Sequence, residues 1–189
     1  MKNLKFMALF LAAVPFISSC SDDDDGSPEI INEEEVITDV SLTFTNESGD
    51  ETTYTYTDPQ YRDENYVAPT IQLTSGETYQ VEANFYNNSN PNDPEVITEE
   101  IMEERDDHFL TYDFVDAEIN LTRTDGEQST DSDGIKIGLS TQWIAGSAEN
   151  GEVVVSLIHQ PTEKITNPAE GSFTGGETDA QVTFALEIQ

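Results

Sequence analysis

An all-β fold, an immunoglobulin-like antiparallel β-sandwich of about eight strands with one short helix, is what this sequence predicts. Three observations lead there. Apolar residues recur with period two from Val36 to the C-terminus, these runs are rich in Thr, Val, Tyr and Ile, and turn-forming clusters separate them. No repeat with a period of about 20 to 50 residues recurs, so a solenoid or propeller is not indicated.

The strands follow in order. Val40, Leu42 and Phe44 alternate with Ser41 and Thr43, and "NESGD" then supplies a turn. Tyr54 and Tyr56 alternate with threonines, and after a loop "PTIQLT" sets Ile71 and Leu73 on one face. "TSGE" turns the chain into a strand with Tyr79, Val81, Ala83 and Phe85 on one side. Ala117, Ile119 and Leu121 make a later strand; Ile135, Ile137, Leu139 and Trp143 make the next. Val153, Val155 and Leu157 follow, and Ala180, Val182, Phe184, Leu186 and Ile188 close the chain. One segment breaks the period. In "NDPEVITEEIMEERDD", Asp93 suits an N-cap, Pro94 suits the first helical position, and Ile97 and Ile101 stand four apart. A helix over about residues 95–106 is expected, with Glu99, Glu100, Glu103 and Glu104 on its solvated face.

The N-terminus carries an address. Lys2 and Lys5 precede an apolar run from Phe6 to Ile17, which has the length of a signal-peptide core and is too short for a membrane span. Ser18 and Ser19 then lead into Cys20, the single cysteine, followed by "SDDDD". The string "ISSC" resembles, in loose form, the lipobox of bacterial lipoproteins, with Ile17 where Leu is usual. That resemblance implies lipidation of Cys20, cleavage before it, and stable anchoring through two or more acyl chains. Ser21, Asp22, Asp23, Asp24 and Asp25 look like the acidic export signal of surface-displayed lipoproteins. A solvated spacer accounts for them equally in composition. The expected organisation is a signal peptide at 1–19, a lipidated Cys and acidic disordered tether at 20–35, and a β-sandwich at 36–189. The expected location is the bacterial outer membrane, at the cell surface, with the protein held by its lipid.

Composition narrows the partners. The chain has 39 Asp and Glu against 7 Lys and Arg, a formal charge of −32. Such a chain repels phosphate backbones, which argues against nucleic acid.

The stretches "EVITDVSLTFT", "ITEEIMEERDDHF", "IHQP" and "GETDAQVTFALEI" resemble a family of short bacterial outer-membrane lipoproteins, over most of residues 36–188. Its members are often labelled as having a type 1 periplasmic-binding fold and found near TonB-dependent receptors. The resemblance implies a role beside nutrient uptake. The fold label requires two α/β domains, which the strand periodicity contradicts, and the periodicity decides for the sandwich.

Catalytic strings are lacking: there is no G-x-S-x-G, H-E-x-x-H or phosphate-binding glycine pattern. A non-enzymatic module that binds a ligand, or a partner such as an outer-membrane receptor, is therefore expected. No resident cofactor is expected. "TDGEQSTDSDG" offers Asp131 and Asp133 as weak calcium candidates, but an EF-hand register places Ser129 first and Ser140 twelfth, where a bidentate Glu is needed. A turn between strands suits it better. His108 shares the parity of Leu110, Tyr112 and Phe114, and His159 that of Val153, Val155 and Leu157. Two imidazoles on apolar faces form a candidate pair for a haem iron or a transition metal, against the simpler reading that each closes its strand. A hydrolase of cell-surface glycans, working through paired carboxylates, is a third reading.

Overall fold

The computed structural model describes residues 35–189. The signal segment, Cys20 and the acidic run Ser21–Asp25 lie outside them. Twelve strands, numbered in chain order, one α-helix and a single 3-10 turn (Glu127–Ser129) are present among the described residues. One sheet runs β2 (Glu51–Thr57), β1 (Asp39–Asn46), β4 (Thr78–Asn87), β8 (Ser140–Ala145) and β7 (Ile119–Arg123), with β5 (Glu95–Val96) paired to β4. The second runs β3 (Thr70–Leu73), β12 (Glu177–Ile188), β9 (Glu149–His159) and β6 (His108–Val115). β10 (Glu163–Ile165) and β11 (Ser172–Thr174) form a separate two-stranded ribbon.

The sandwich follows from the alternation. Val40, Leu42, Phe44, Val81, Ala83 and Phe85 of the first sheet and Val153, Val155, Leu157, Val182, Phe184 and Leu186 of the second are all buried in one core. Trp143 sits where the sheets meet. Its ring meets Phe44 at 5.2 Å, Phe114 at 4.9 Å and Tyr112 at 5.8 Å, all edge-to-face, and its Nε1 donates to Thr141 Oγ1 at 2.9 Å. The type 1 periplasmic-binding label thus yields to the all-β architecture.

Four expectations need correcting. The strands are more numerous than about eight because β5, β10 and β11 add pieces of two or three residues. The sheets are not wholly antiparallel, since β3 lies parallel to β12. The helix α1 is shorter than expected, Ile97–Glu103, and its N-cap is Val96 rather than Asp93. Pairing of Val96 with Tyr86 holds that stretch extended, and Thr98 Oγ1 accepts from the Phe85 amide at 2.8 Å, tying the first turn to β4. The spacing of Ile97 and Ile101 is nonetheless the buried face. Finally, Ile135 to Leu139 is not strand. Strand β8 begins at Ser140, because the carboxylate of Asp125 accepts from the amides of Gly138, Leu139 and Ser140 and folds that stretch into a loop.

The buried guanidinium of Arg123 locks this loop to both sheets. It donates to the carbonyls of Ala169 (2.8 Å), Lys136 (3.2 Å), Leu110 (2.7 Å) and Glu170 (3.2 Å), and lies over the Phe109 ring at 4.4 Å. Gly138 (φ +101°) and Gly171 (φ +87°) flank it, and a Cβ on either would collide with a guanidinium nitrogen. Burial lowers the Arg123 pKa and raises that of Asp125. Replacing Arg123 by Met should destabilise the domain by about 3 kcal/mol or more, since several buried carbonyls lose their donor. Arg123→Lys should recover little of it, because a point donor cannot serve a fork of acceptors. Urea melts of the three proteins measure this; an unchanged midpoint for Arg123→Met would disprove it.

Candidate functional site

The register of β6 on β9 places His108 directly opposite His159. Both continue the inward parity of their strands, so both are buried, at 0% and 7% exposure. Their rings stack with centroids 4.9 Å apart and planes within 8°. Directly opposed side chains on adjacent strands give this face-to-face geometry. A haem iron held by two imidazoles needs them end-on across the porphyrin plane, so this pair is unsuited to bracketing one. The rings instead present their edges side by side, which leaves small-ion chemistry open.

Two carboxylates close on His108. Glu35 Oε1 lies 3.5 Å and Asp179 Oδ2 3.7 Å from His108 Nε2, and Asp179 Oδ1 lies 3.9 Å from His159 Nδ1. The side chains of Glu35 and Asp179 are 5% and 4% exposed. Glu35 was expected in the tether; its side chain instead packs into the body just ahead of β1. Asp179 by simple alternation with Ala180 and Val182 should point outward. The register shift in β12 between Thr178 and Ala180 inserts Asp179 as an extra residue, which re-aims its carboxylate.

The proton on His108 can be placed. Nδ1 lies 3.1 Å from the carbonyl oxygen of Glu104, which closes the last turn of α1. A carbonyl only accepts, so Nδ1 carries the hydrogen and the neutral ring offers its lone pair at Nε2. Burial holds the His108 pKa below the usual histidine range, outweighing the pull of the Glu104 carbonyl and the Glu35 carboxylate. Nε2 of His108 and Oε2 of Glu35 are buried without a hydrogen-bond partner among the described residues. An acceptor nitrogen thus faces the Glu35 carboxylate with no donor between them among the described residues.

Glu35, His108 and Asp179 each bring one potential ligand atom within 4.8 Å of the others. Glu104, His108 and His159 form a second such set, but there the Nδ1 of His108 is committed to the Glu104 carbonyl. A shallow hollow of about 310 Å³, lined by His159, Gln160, Gly176 and Glu177, opens to solvent beside His159.

The calcium candidates sit elsewhere. Asp131 Oδ1 accepts from the amides of Asp133 and Ile135, and Oδ2 pairs with Lys164 Nζ at 3.0 Å. Its carboxylate is thus occupied by two turn amides and by Lys164, and Asp133 is exposed; the expected hairpin between two strands is not formed, since Ile135–Leu139 is loop. No protein-family model, curated protein or solved structure matches the chain. Among the described residues, no helix is long and apolar enough to cross a membrane.

Strand parity was sufficient to find the histidines. Glu35, Asp179 and Glu104 carry no such signal among 39 acids. An amide at position 35 could donate to His108 Nε2, so Glu35→Gln should stabilise the metal-free protein by about 1 kcal/mol. Thermal melts in chelator check this; a lower midpoint than the parent would contradict the proton assignment.

Proposed function

We propose that this chain is a lipid-anchored, non-enzymatic binding module displayed at the outer membrane of a bacterial cell. Lipid on Cys20 and the acidic run Asp22–Asp25 hold the β-sandwich clear of the membrane. The observation that carries the anchor is the order of features in residues 2–25: basic start, short apolar run, small residues, lone Cys, acidic run. Removal of residues 1–19 takes Lys2 and Lys5 with it, so the charge goes from −32 to −34. A body so acidic stays apart from anionic head groups and remains soluble on its tether.

The binding role rests on the body itself. Its buried polar cluster of two histidines and two carboxylates lies at one end of the second sheet, where three strand ends and the lead-in to β1 converge. The family resemblance adds an uptake receptor as the fitting partner. The haem form of the carrier reading finds no support in the stacked rings. The glycan-hydrolase reading draws no support from Glu35 and Asp179, whose side chains are both enclosed.

Fractionation tests the anchor. Cys20→Ala should yield protein that is unprocessed or soluble and no longer partitions into detergent as a lipoprotein does. Incorporation of a radiolabelled fatty acid into the parent and not the variant is the direct readout; equal labelling of both refutes the anchor. Replacing Asp22 to Asp25 with alanines should abolish cleavage by protease added to intact cells, and unchanged accessibility would remove the export role.

A further inference from the structure

We infer that Glu35, His108 and Asp179 form a binding site for a divalent transition-metal ion of the zinc type, with His159 standing beside Asp179. This rests on the binding-module reading and names its ligand. The geometry is the first argument. Metal–ligand bonds of about 2.0–2.2 Å in a tetrahedral site put neighbouring ligand atoms roughly 3.3–3.6 Å apart. His108 Nε2 stands 3.5 Å from Glu35 Oε1 and 3.7 Å from Asp179 Oδ2. These separations are too long for hydrogen bonds and close to what a shared ion requires.

Orphaned polar atoms are the second argument. His108 Nε2 and Glu35 Oε2 are buried and have no hydrogen-bond partner among the described residues. A buried acceptor left unmade is costly, and the His108 Nε2 lone pair and the Glu35 carboxylate, facing one another without a donor, repel as well. One cation among them removes both penalties. The third argument is the tautomer. A metal-bound histidine commonly donates its other N–H to a backbone carbonyl, and His108 Nδ1 does so to Glu104 at 3.1 Å. The ring is therefore preset, with its lone pair facing the carboxylates.

Donor type selects the ion. One imidazole with two carboxylates suits zinc and its neighbours, whereas calcium and magnesium prefer all-oxygen sites. Three protein ligands leave one position for water or for a group brought by a partner. His159, stacked on His108 and 3.9 Å from Asp179 Oδ1, stands beside that carboxylate and lines a hollow on its solvent side. Because Glu35 belongs to the segment that leads into β1, a bound ion also fastens that segment to the second sheet. Occupancy thus couples to the order of residues 36–38.

The test uses the full chain in detergent micelles, with Cys20→Ala so that no thiol competes for metal, and with Zn²⁺ and Co²⁺ as probes. Calorimetry in high salt should give one Zn²⁺ per chain, since salt screens the diffuse acidic surface and leaves direct coordination intact. Bound Co²⁺ should show the intense visible absorption of a four-coordinate ion, displaced by Zn²⁺. Zn²⁺ should raise the melting temperature and slow amide exchange at residues 36–38. Glu35→Gln and His108→Ala should each weaken binding by more than the roughly 10- to 100-fold that loss of an outer partner costs. Glu99→Gln with Glu103→Gln on α1 should change nothing. Glu35→Gln conserves shape and keeps the test decisive should His108→Ala misfold. Binding that vanishes in salt, or that Glu35→Gln leaves intact, overturns the site. So does a Co²⁺ spectrum of a fully hydrated ion. Such a failure leaves the anchored module in place with another ligand, whereas failure of the Cys20 labelling test leaves the metal site untouched.

Discussion

The packing of this sandwich depends on one buried cation. Arg123 ends β7 at a position whose parity, with Ile119 and Leu121, points inward. A charge there is tolerable only if its donors find acceptors, and four backbone carbonyls from three different segments take four of its five N–H groups. Those carbonyls belong to β6 and to the loops around Lys136 and Ala169. The same loops cover the free edge of β6, whose Leu110 and Tyr112 amides donate to Ile137 and Glu170. One guanidinium therefore joins a strand of the first sheet to the edge of the second and closes that edge against further pairing. Gly138 and Gly171 are what permit its approach.

That closure has a consequence at the other end of β6. With its outer edge capped by loops and its inner edge paired to β9 along its whole length, β6 cannot slip in register. His108 is consequently held opposite His159, and the helix before it brings the Glu104 carbonyl to Nδ1. The bulge in β12 aims Asp179 at the pair, and the stretch ahead of β1 delivers Glu35. Four chain segments thus build one small polar cluster, with His108, His159 and Asp179 positioned by strand pairing and Glu35 by the stretch ahead of β1.

Much of this was legible in the sequence, for a definite physical reason. Strand parity is local, so alternation sufficed to place Leu42, Val81, Val155 and Phe184 in the core, and the histidines with them. What stayed hidden is what depends on pairing or on single hydrogen bonds. The bulge that turns Asp179 inward has no mark in "ETDAQVTF". The loop at Ile135–Leu139 reads as strand until the Asp125 carboxylate claims its amides. Glu35 looks like the last residue of an acidic tether because composition cannot tell a solvated acid from a buried one. Arg123 did leave a signal, a charge at an inward-facing position, which outranks any count of acids as a pointer to buried structure.

The two buried electrostatic clusters differ in a way that bears on function. Around Arg123 and Asp125 each charged group meets donors or acceptors of the right kind, and the chain's own backbone completes the set. Around His108 the backbone supplies one partner, at Nδ1, and none at Nε2. A fold able to satisfy a buried guanidinium through four carbonyls had the means to supply one donor to an imidazole. Replacing either carboxylate by an amide would have done so at no cost in shape. The mismatch is confined to one atom cluster, while the surrounding strands, core and loops agree with one another. Local conflict inside a consistent framework is the pattern expected where binding, rather than folding, sets the residues. The missing component at that point must be positively charged, small enough for an enclosed space, and able to accept lone pairs from nitrogen and oxygen together. A proton on Nε2 would need an oxygen within hydrogen-bond reach, and the carboxylates stand at 3.5 and 3.7 Å; a transition-metal ion bridges those separations.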